Sequence, residues 1–141
     1  MKFLDANPFI YAYYKPRKKL TEYERKLKEN AKQIIARINR GEEKVVTTVV
    51  HVSEIVNILK HGMTFEELYE VILGLFSLEN VKILRVSRED YLAAVELSLE
   101  LKLDPNDALA IQVMYAMDIN EIYSFDTEFD RVSGIVRLPR L

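Results

Sequence analysis

Residues 103–126, LDPNDALAIQVMYAMDINEIYSFD, decide how this chain folds. Asp104 ahead of Pro105 has the form of an N-cap followed by proline at the first helical position, where a missing N–H removes no helical bond. The helix opened there runs to Met117 and is apolar on nearly every side through Ala108, Leu109, Ala110, Ile111, Val113 and Met114. A helix with no polar face is a buried one. Ile122-Tyr123 is then a short strand leading into Ser124-Phe125-Asp126. A buried helix feeding a short apolar strand is the repeating unit of a parallel sheet covered by helices.

The same alternation extends outward from this stretch. Upstream, Ser87 caps a helix from about Arg88 to Lys102, and Val81–Val86 reads as a strand. Thr64 and Glu67 form a capping box that opens a helix to about Leu78. Helical spacing also runs from Val52 through Glu54, Ile55, Ile58 and Leu59 to Gly62, behind a β-branched strand at Val45–Val50. Thr21 and Glu24 start a long helix whose apolar stripe is Tyr23, Leu27, Ala31, Ile34, Ile35 and Ile38, with Gly41 at its end. Nearer the N-terminus, Phe3-Leu4 is a strand end that meets Asp5. A short helix over Phe9–Tyr14 is interrupted by Lys15-Pro16-Arg17-Lys18-Lys19. A last strand covers Ile135–Leu138. The expected class is α/β, a central mostly parallel sheet flanked by helices, with residues 1–141 as one domain.

Composition narrows the chemistry. The 141 residues are 49% hydrophobic, enough for a core without disulfides, and 30% charged. The absence of Cys excludes a thiol nucleophile and a cysteine zinc site. No apolar run is long enough for a transmembrane helix, and Asp5, Asn7 and Pro8 break the N-terminal segment before it resembles a signal peptide, so a cytoplasmic location is expected. With a net charge of −2 there is no global basic field, and nucleic-acid binding would need a local patch.

Four acids sit where solvation explains them poorly. Asp5 and Asp126 follow strands, where open parallel sheets place their binding crevice. Glu54 has the apolar neighbours Val50, Ile55 and Ile58, and Asp107 lies in the first turn of the most buried helix. Singly, each has an ordinary role as turn residue, cap partner or solvated side chain. Together in a small core they would repel one another unless a divalent cation compensated them. Carboxylates without Cys or His are hard oxygen ligands that favour Mg²⁺ or Mn²⁺. Such an ion suits phosphodiester hydrolysis by an activated water.

These positions resemble a known family. MKFLDAN, TTVVHVSEIVNIL, LDPNDALAIQVMYA and IYSFDTEFDRV are similar, in order, to the four acidic motifs of PIN-domain nucleases, and their form is closest to VapC-type toxins of toxin–antitoxin pairs. The resemblance implies a PIN-like three-layer sandwich and an Mg²⁺- or Mn²⁺-dependent endoribonuclease. It also implies a homodimer held inactive by a VapB-like antitoxin. By position it assigns Asp5, Glu54, Asp107 and Asp126 to the catalytic metal site, with Asp130 as an accessory acid. Asn7 and Ser124 become supporting or phosphate contacts.

Several features stay open at the level of sequence. Lys15, Arg17 and Lys18 either grip RNA phosphates or form a solvated loop, and Tyr11, Tyr13 and Tyr14 either stack on bases or pack. Asp104 reads as a cap, and His51 and His61 are not spaced as metal ligands. Two other functions fit the motifs: a PIN nuclease for RNA processing or structured DNA, and a catalytically silent PIN interaction module. An aspartyl-phosphate mechanism at Asp5 would want a second acid two residues on, where this chain has Asn7.

Overall fold

The computed structural model describes residues 1–141. In chain order the elements are β1 (Lys2–Leu4), α1 (Ala6–Tyr13), α2 (Glu22–Asn39), β2 (Val45–Thr48), α3 (Val49–Leu59), α4 (Phe65–Phe76) and β3 (Val81–Leu84). They continue with α5 (Arg88–Leu101), α6 (Pro105–Met117), β4 (Glu121–Tyr123), a 3₁₀ turn (Thr127–Arg131) and β5 (Val136–Leu138). The strands pair in the order β3-β2-β1-β4-β5, and all four pairings are parallel.

Alternation along these short strands sorts the core into two layers. Leu4, Val45, Val81 and Tyr123 point to one face, where they pack on Phe9 of α1, Ile34, Ile35 and Ile38 of α2, Ile55 of α3 and Leu75 of α4. Phe3, Val46 and Ile122 point to the other, against Ala110, Ile111 and Met114 of α6 and Leu97 of α5. The result is a three-layer sandwich. The chain winds from β1 to β2 to β3 with α1–α4 on one face, then crosses beneath the sheet through α5 and α6 to enter β4 on the far side of β1. Strand order therefore reverses between β1 and β4. In an open parallel sheet the binding crevice lies outside the carboxyl ends of the strands at that reversal.

Several boundaries differ from the sequence expectation, two of them because of a cap. The first helix begins at Ala6 rather than Phe9, because the Asp5 carboxylate accepts from Ala6 N at 2.9 Å and Pro8 is tolerated in the opening turn. β2 stops at Thr48 rather than Val50, because the Thr48 hydroxyl accepts from His51 N and starts α3; Val49 and Val50 become helical despite their branching. β3 ends at Leu84, short of Val86.

The capping boxes at Thr21/Glu24 and Thr64/Glu67 form as expected, and Ser87 makes a third with Asp90. Removing the exposed Thr21 cap by Thr21→Ala should cost about 1 kcal/mol. Urea unfolding should show a lower midpoint at unchanged slope. An unchanged midpoint would show that tertiary packing alone holds the start of α2.

Candidate metal centre

The ends of β1 and β4 are stitched by side chains rather than by the ladder alone. Asp5 N donates to Tyr123 O at 3.0 Å. Beyond the ladder, Ser124 Oγ donates to Asp5 Oδ2 at 2.6 Å and accepts from Asp126 N at 3.0 Å. One buried hydroxyl thus fixes the carboxylate after β1 and the backbone of the acid after β4. Asn7 Oδ1 makes a second stitch by accepting from Phe125 N at 3.0 Å. Asp104 caps α6 by accepting from Asn106 N at 2.9 Å, which sets Asp107 in the first turn. Glu54 comes from the middle of α3, half-buried.

Charge shows that these segments converge. Burial pushes the Asp5 carboxyl above the ordinary carboxylate range, and Asp126 adds to the rise. Glu54 is pushed up to about 7 by burial and by the charges of Asp5 and Asp104, with the Asn106 amide opposing. Asp107 is pushed up to about 8 by burial, by Asp5 and by Asp126. Every ion pair in the protein lies elsewhere, so no Lys or Arg neutralises Asp5, Glu54, Asp107 or Asp126. Four acids from four segments share one field with no cation among them, and their oxygens are the donor set a hard divalent ion requires. No three acid or histidine side chains are already gathered around one point as a cage.

Over this geometry the sequence model of the PIN domain matches residues 2–135. The chain belongs to the PIN-domain family. Among solved structures this PIN domain resembles VapC20 of Mycobacterium tuberculosis, a sarcin–ricin loop cleaving toxin, at 19% identity, 96% coverage of this chain, 97% of that one and a TM-score of 0.72. It also resembles a toxin–antitoxin complex from Klebsiella pneumoniae, at 17% identity, 96% of each chain and a TM-score of 0.65. A third likeness is to VapBC2 of Rickettsia felis bound to a fragment of promoter DNA, at 14% identity, 96% of each chain and 0.63. At these identities the likeness is one of fold. No functionally curated protein matches.

The remaining site expectations fare differently in the PIN domain. Asp130 is not with the other acids: Arg137 donates to both its oxygens, Nε to Oδ1 at 3.0 Å and Nη2 to Oδ2 at 3.1 Å. That bidentate pair leaves its charge compensated and removes it from the metal set. Ser124, expected as a supporting or phosphate contact, is fully buried and so supports the acids without meeting a substrate. Asn7 spends its carbonyl oxygen on Phe125. Lys15, Arg17 and Lys18 are exposed beyond the far end of α1, whose eight residues carry the chain roughly 12 Å from Asp5. Lys15 and Arg17 line a cavity of about 510 Å³ there with Tyr13, Tyr14 and His61.

Two residues have roles that the sequence did not disclose. His51 is completely buried against the Phe3 ring, with Nδ1 2.7 Å from Thr48 Oγ1 and Nε2 3.1 Å from the Asn106 carbonyl. Burial holds its pKa down, so the ring is neutral; Nε2–H donates to Asn106 and Nδ1 accepts from Thr48. It braces the start of α6, and with both nitrogens spent it is no ligand. Asn106 links three elements: its Oδ1 accepts from Tyr91 Oη at 2.5 Å, which turns its amide nitrogen to Glu54. Neither had a local signal beyond its proximity to an acid.

Proposed function

We propose that this PIN domain is a divalent-cation-dependent endoribonuclease of the VapC toxin type. The observation that carries the reading is the group Asp5, Glu54, Asp107 and Asp126: burial and neighbouring acids hold the first three above the ordinary carboxylate range, and no Lys or Arg pairs with any of the four. Such a field repels a phosphodiester. A hard cation reverses its sign, and these four residues would hold Mg²⁺ or Mn²⁺. When bound, the ion supplies Lewis acidity toward a phosphoryl oxygen and lowers the pKa of water.

The chain's own residues do the positioning. Ser124 Oγ and Ala6 N each occupy one lone pair of the two Asp5 oxygens, leaving further pairs free to accept. Asp104 and His51 fix the turn that presents Asp107, and Asn106 orients Glu54. Glu54 and Asp107, pushed up to about 7 and about 8 without a cation, would give up their protons to one, so that binding near neutrality is coupled to proton release.

A VapB-like antitoxin and a second copy of the chain are the partners this reading requires. Two exposed apolar stripes are available to them: Phe65, Tyr69, Leu73 and Phe76 on α4, and Leu92, Val95 and Leu99 on α5. No helix is long and apolar enough to cross a membrane, and we place the activity in the cytoplasm.

The test is incubation of the purified protein with mixed-sequence single-stranded RNA, with Mg²⁺ or Mn²⁺ and separately with excess chelator. Cleavage is expected only with the cation. Cleavage persisting in chelator would overturn the mechanism. Growth arrest on expression, relieved by co-expressing an antitoxin-sized reading frame if one adjoins the gene, separates a toxin from a processing nuclease.

A further inference from the structure

One cavity of the protein has an acid of the group, Glu54, on its wall. It holds about 440 Å³ between α3 and the start of α5. Its floor is one face of α3: Val50, Ser53, Glu54 and Asn57 follow at i, i+3, i+4 and i+7, a single helical stripe. The opposite wall is Val86, Arg88 and Tyr91, with Asn106 at the corner next to Glu54.

The polar groups here divide into two sets. Tyr91 and Asn106 are occupied with each other and with Glu54. Ser53, Asn57 and Arg88 make no side-chain hydrogen bond or ion pair within the protein, although acids abound on the surface and six ion pairs form elsewhere. A free guanidinium, a free carboxamide and a free hydroxyl thus face a partly apolar recess that opens beside the metal acids. The guanidinium matches a phosphate. The carboxamide and hydroxyl match donor and acceptor edges of a base, and the valine and tyrosine walls match its flat face.

We propose that this recess is the subsite for the nucleotide next to the scissile phosphate, with Arg88 on its phosphate and Asn57 and Ser53 reading its base. The proposal rests on the nuclease reading and adds to it the place where sequence preference arises. Glu54 belongs to both sites, so a strand whose scissile phosphate lies at the acids delivers its neighbouring nucleotide directly into the recess. The Tyr13/Arg17/His61 cavity, beyond the far end of α1, has none of the four acids on its wall.

The four nucleoside 5′-monophosphates, titrated with Mg²⁺ into isotope-labelled protein, test this without relying on cleavage. Amide shifts are expected at Ser53–Asn57 and Val86–Tyr91. Arg88→Ala should weaken binding about tenfold, Asn57→Ala should change the rank order of the four nucleotides, and Arg17→Ala should alter neither. Absence of shifts at millimolar nucleotide, shifts centred on the Arg17 cavity, or an Arg88→Ala titration matching wild type would each overturn the subsite. Should nucleotides bind as described while no RNA is cut with either cation, the subsite stands and the nuclease reading fails.

Discussion

Asp5→Asn should lower cation-dependent RNA cleavage by about three orders of magnitude while leaving the metal-free fold as stable as wild type or more so. The first half follows from the place of Asp5 at the centre of the acid field: its charge reaches both Glu54 and Asp107, and Asp126 acts on it in turn. A bound ion is worth several kcal/mol of transition-state charge stabilisation, and each 1.36 kcal/mol is tenfold in rate. The second half follows from burial. Asp5 is only 5% exposed, pairs with no Lys or Arg, and burial raises its pKa against the opposing His51 ring and the hydrogen bonds from Ser124 and Ala6. Asparagine keeps the oxygen that accepts from Ala6 N and removes the buried charge. A buried charge that costs stability is what a site kept for function, at the expense of the fold, looks like.

A graded series makes the prediction specific. Ser124→Ala removes the hydroxyl that aims Asp5 and supports the Asp126 backbone, so metal affinity should fall about 10- to 100-fold, as for residues that orient a ligand. Asp130→Asn disturbs only the pair with Arg137, so activity per folded molecule should stay near wild type while thermal stability drops. Cleavage with a cation, circular dichroism and a melting curve on each variant check the series. Loss of activity in Asp130→Asn equal to that in Asp5→Asn would return Asp130 to the site and refute the separation drawn from the Arg137 pair.

The legibility of this site in the sequence depended on how local each interaction was. Asp5 and Asp126 stood out because they follow short apolar strands, by one and by three residues, and topology alone puts such ends at a crevice. Asp104 as a cap was equally readable, since its partner Asn106 is two residues away. The pairing of Asp130 with Arg137 of β5 could not be read, because no pattern in the chain announces it. The Val45–Val50 run overstated β2 because branching favours a strand while the Thr48 cap, a single side-chain bond, starts a helix two residues earlier. The brace that His51 makes on α6 spans 55 residues and exists only once α3 and α6 meet, so no local pattern announces it. Local chemistry was visible; long-range compensation of charge was not.

The same uncompensated charge predicts an unusual dependence of stability on pH. Glu54 and Asp107 have folded pKa values near 7 and 8, against unfolded values of roughly 4. Between those limits the native state holds more protons than the unfolded one, so stability falls as pH rises. This contribution is complete below about pH 4 and is lost as pH passes the folded values. In chelator, Tm should therefore decline from about pH 5 to pH 8.5. Mg²⁺ or Mn²⁺ takes the deprotonated carboxylates and should reverse the trend. Its stabilisation is small at pH 5, where protons occupy the acids, and full above pH 8. At a hundred times Kd it should reach about 2.7 kcal/mol, or roughly 8 °C in Tm for a chain of this size. Binding near neutrality should release protons, which calorimetry in two buffers of different ionisation enthalpy detects. Asp107→Asn should flatten the chelator profile and remove most of the cation-dependent shift. A Tm in chelator that rises between pH 5 and 8.5, or a cation shift independent of pH, would mean that the acids are not the groups a cation displaces protons from. The metal site would then have to be sought elsewhere, in a protein whose other acids are largely paired, capping or exposed to solvent.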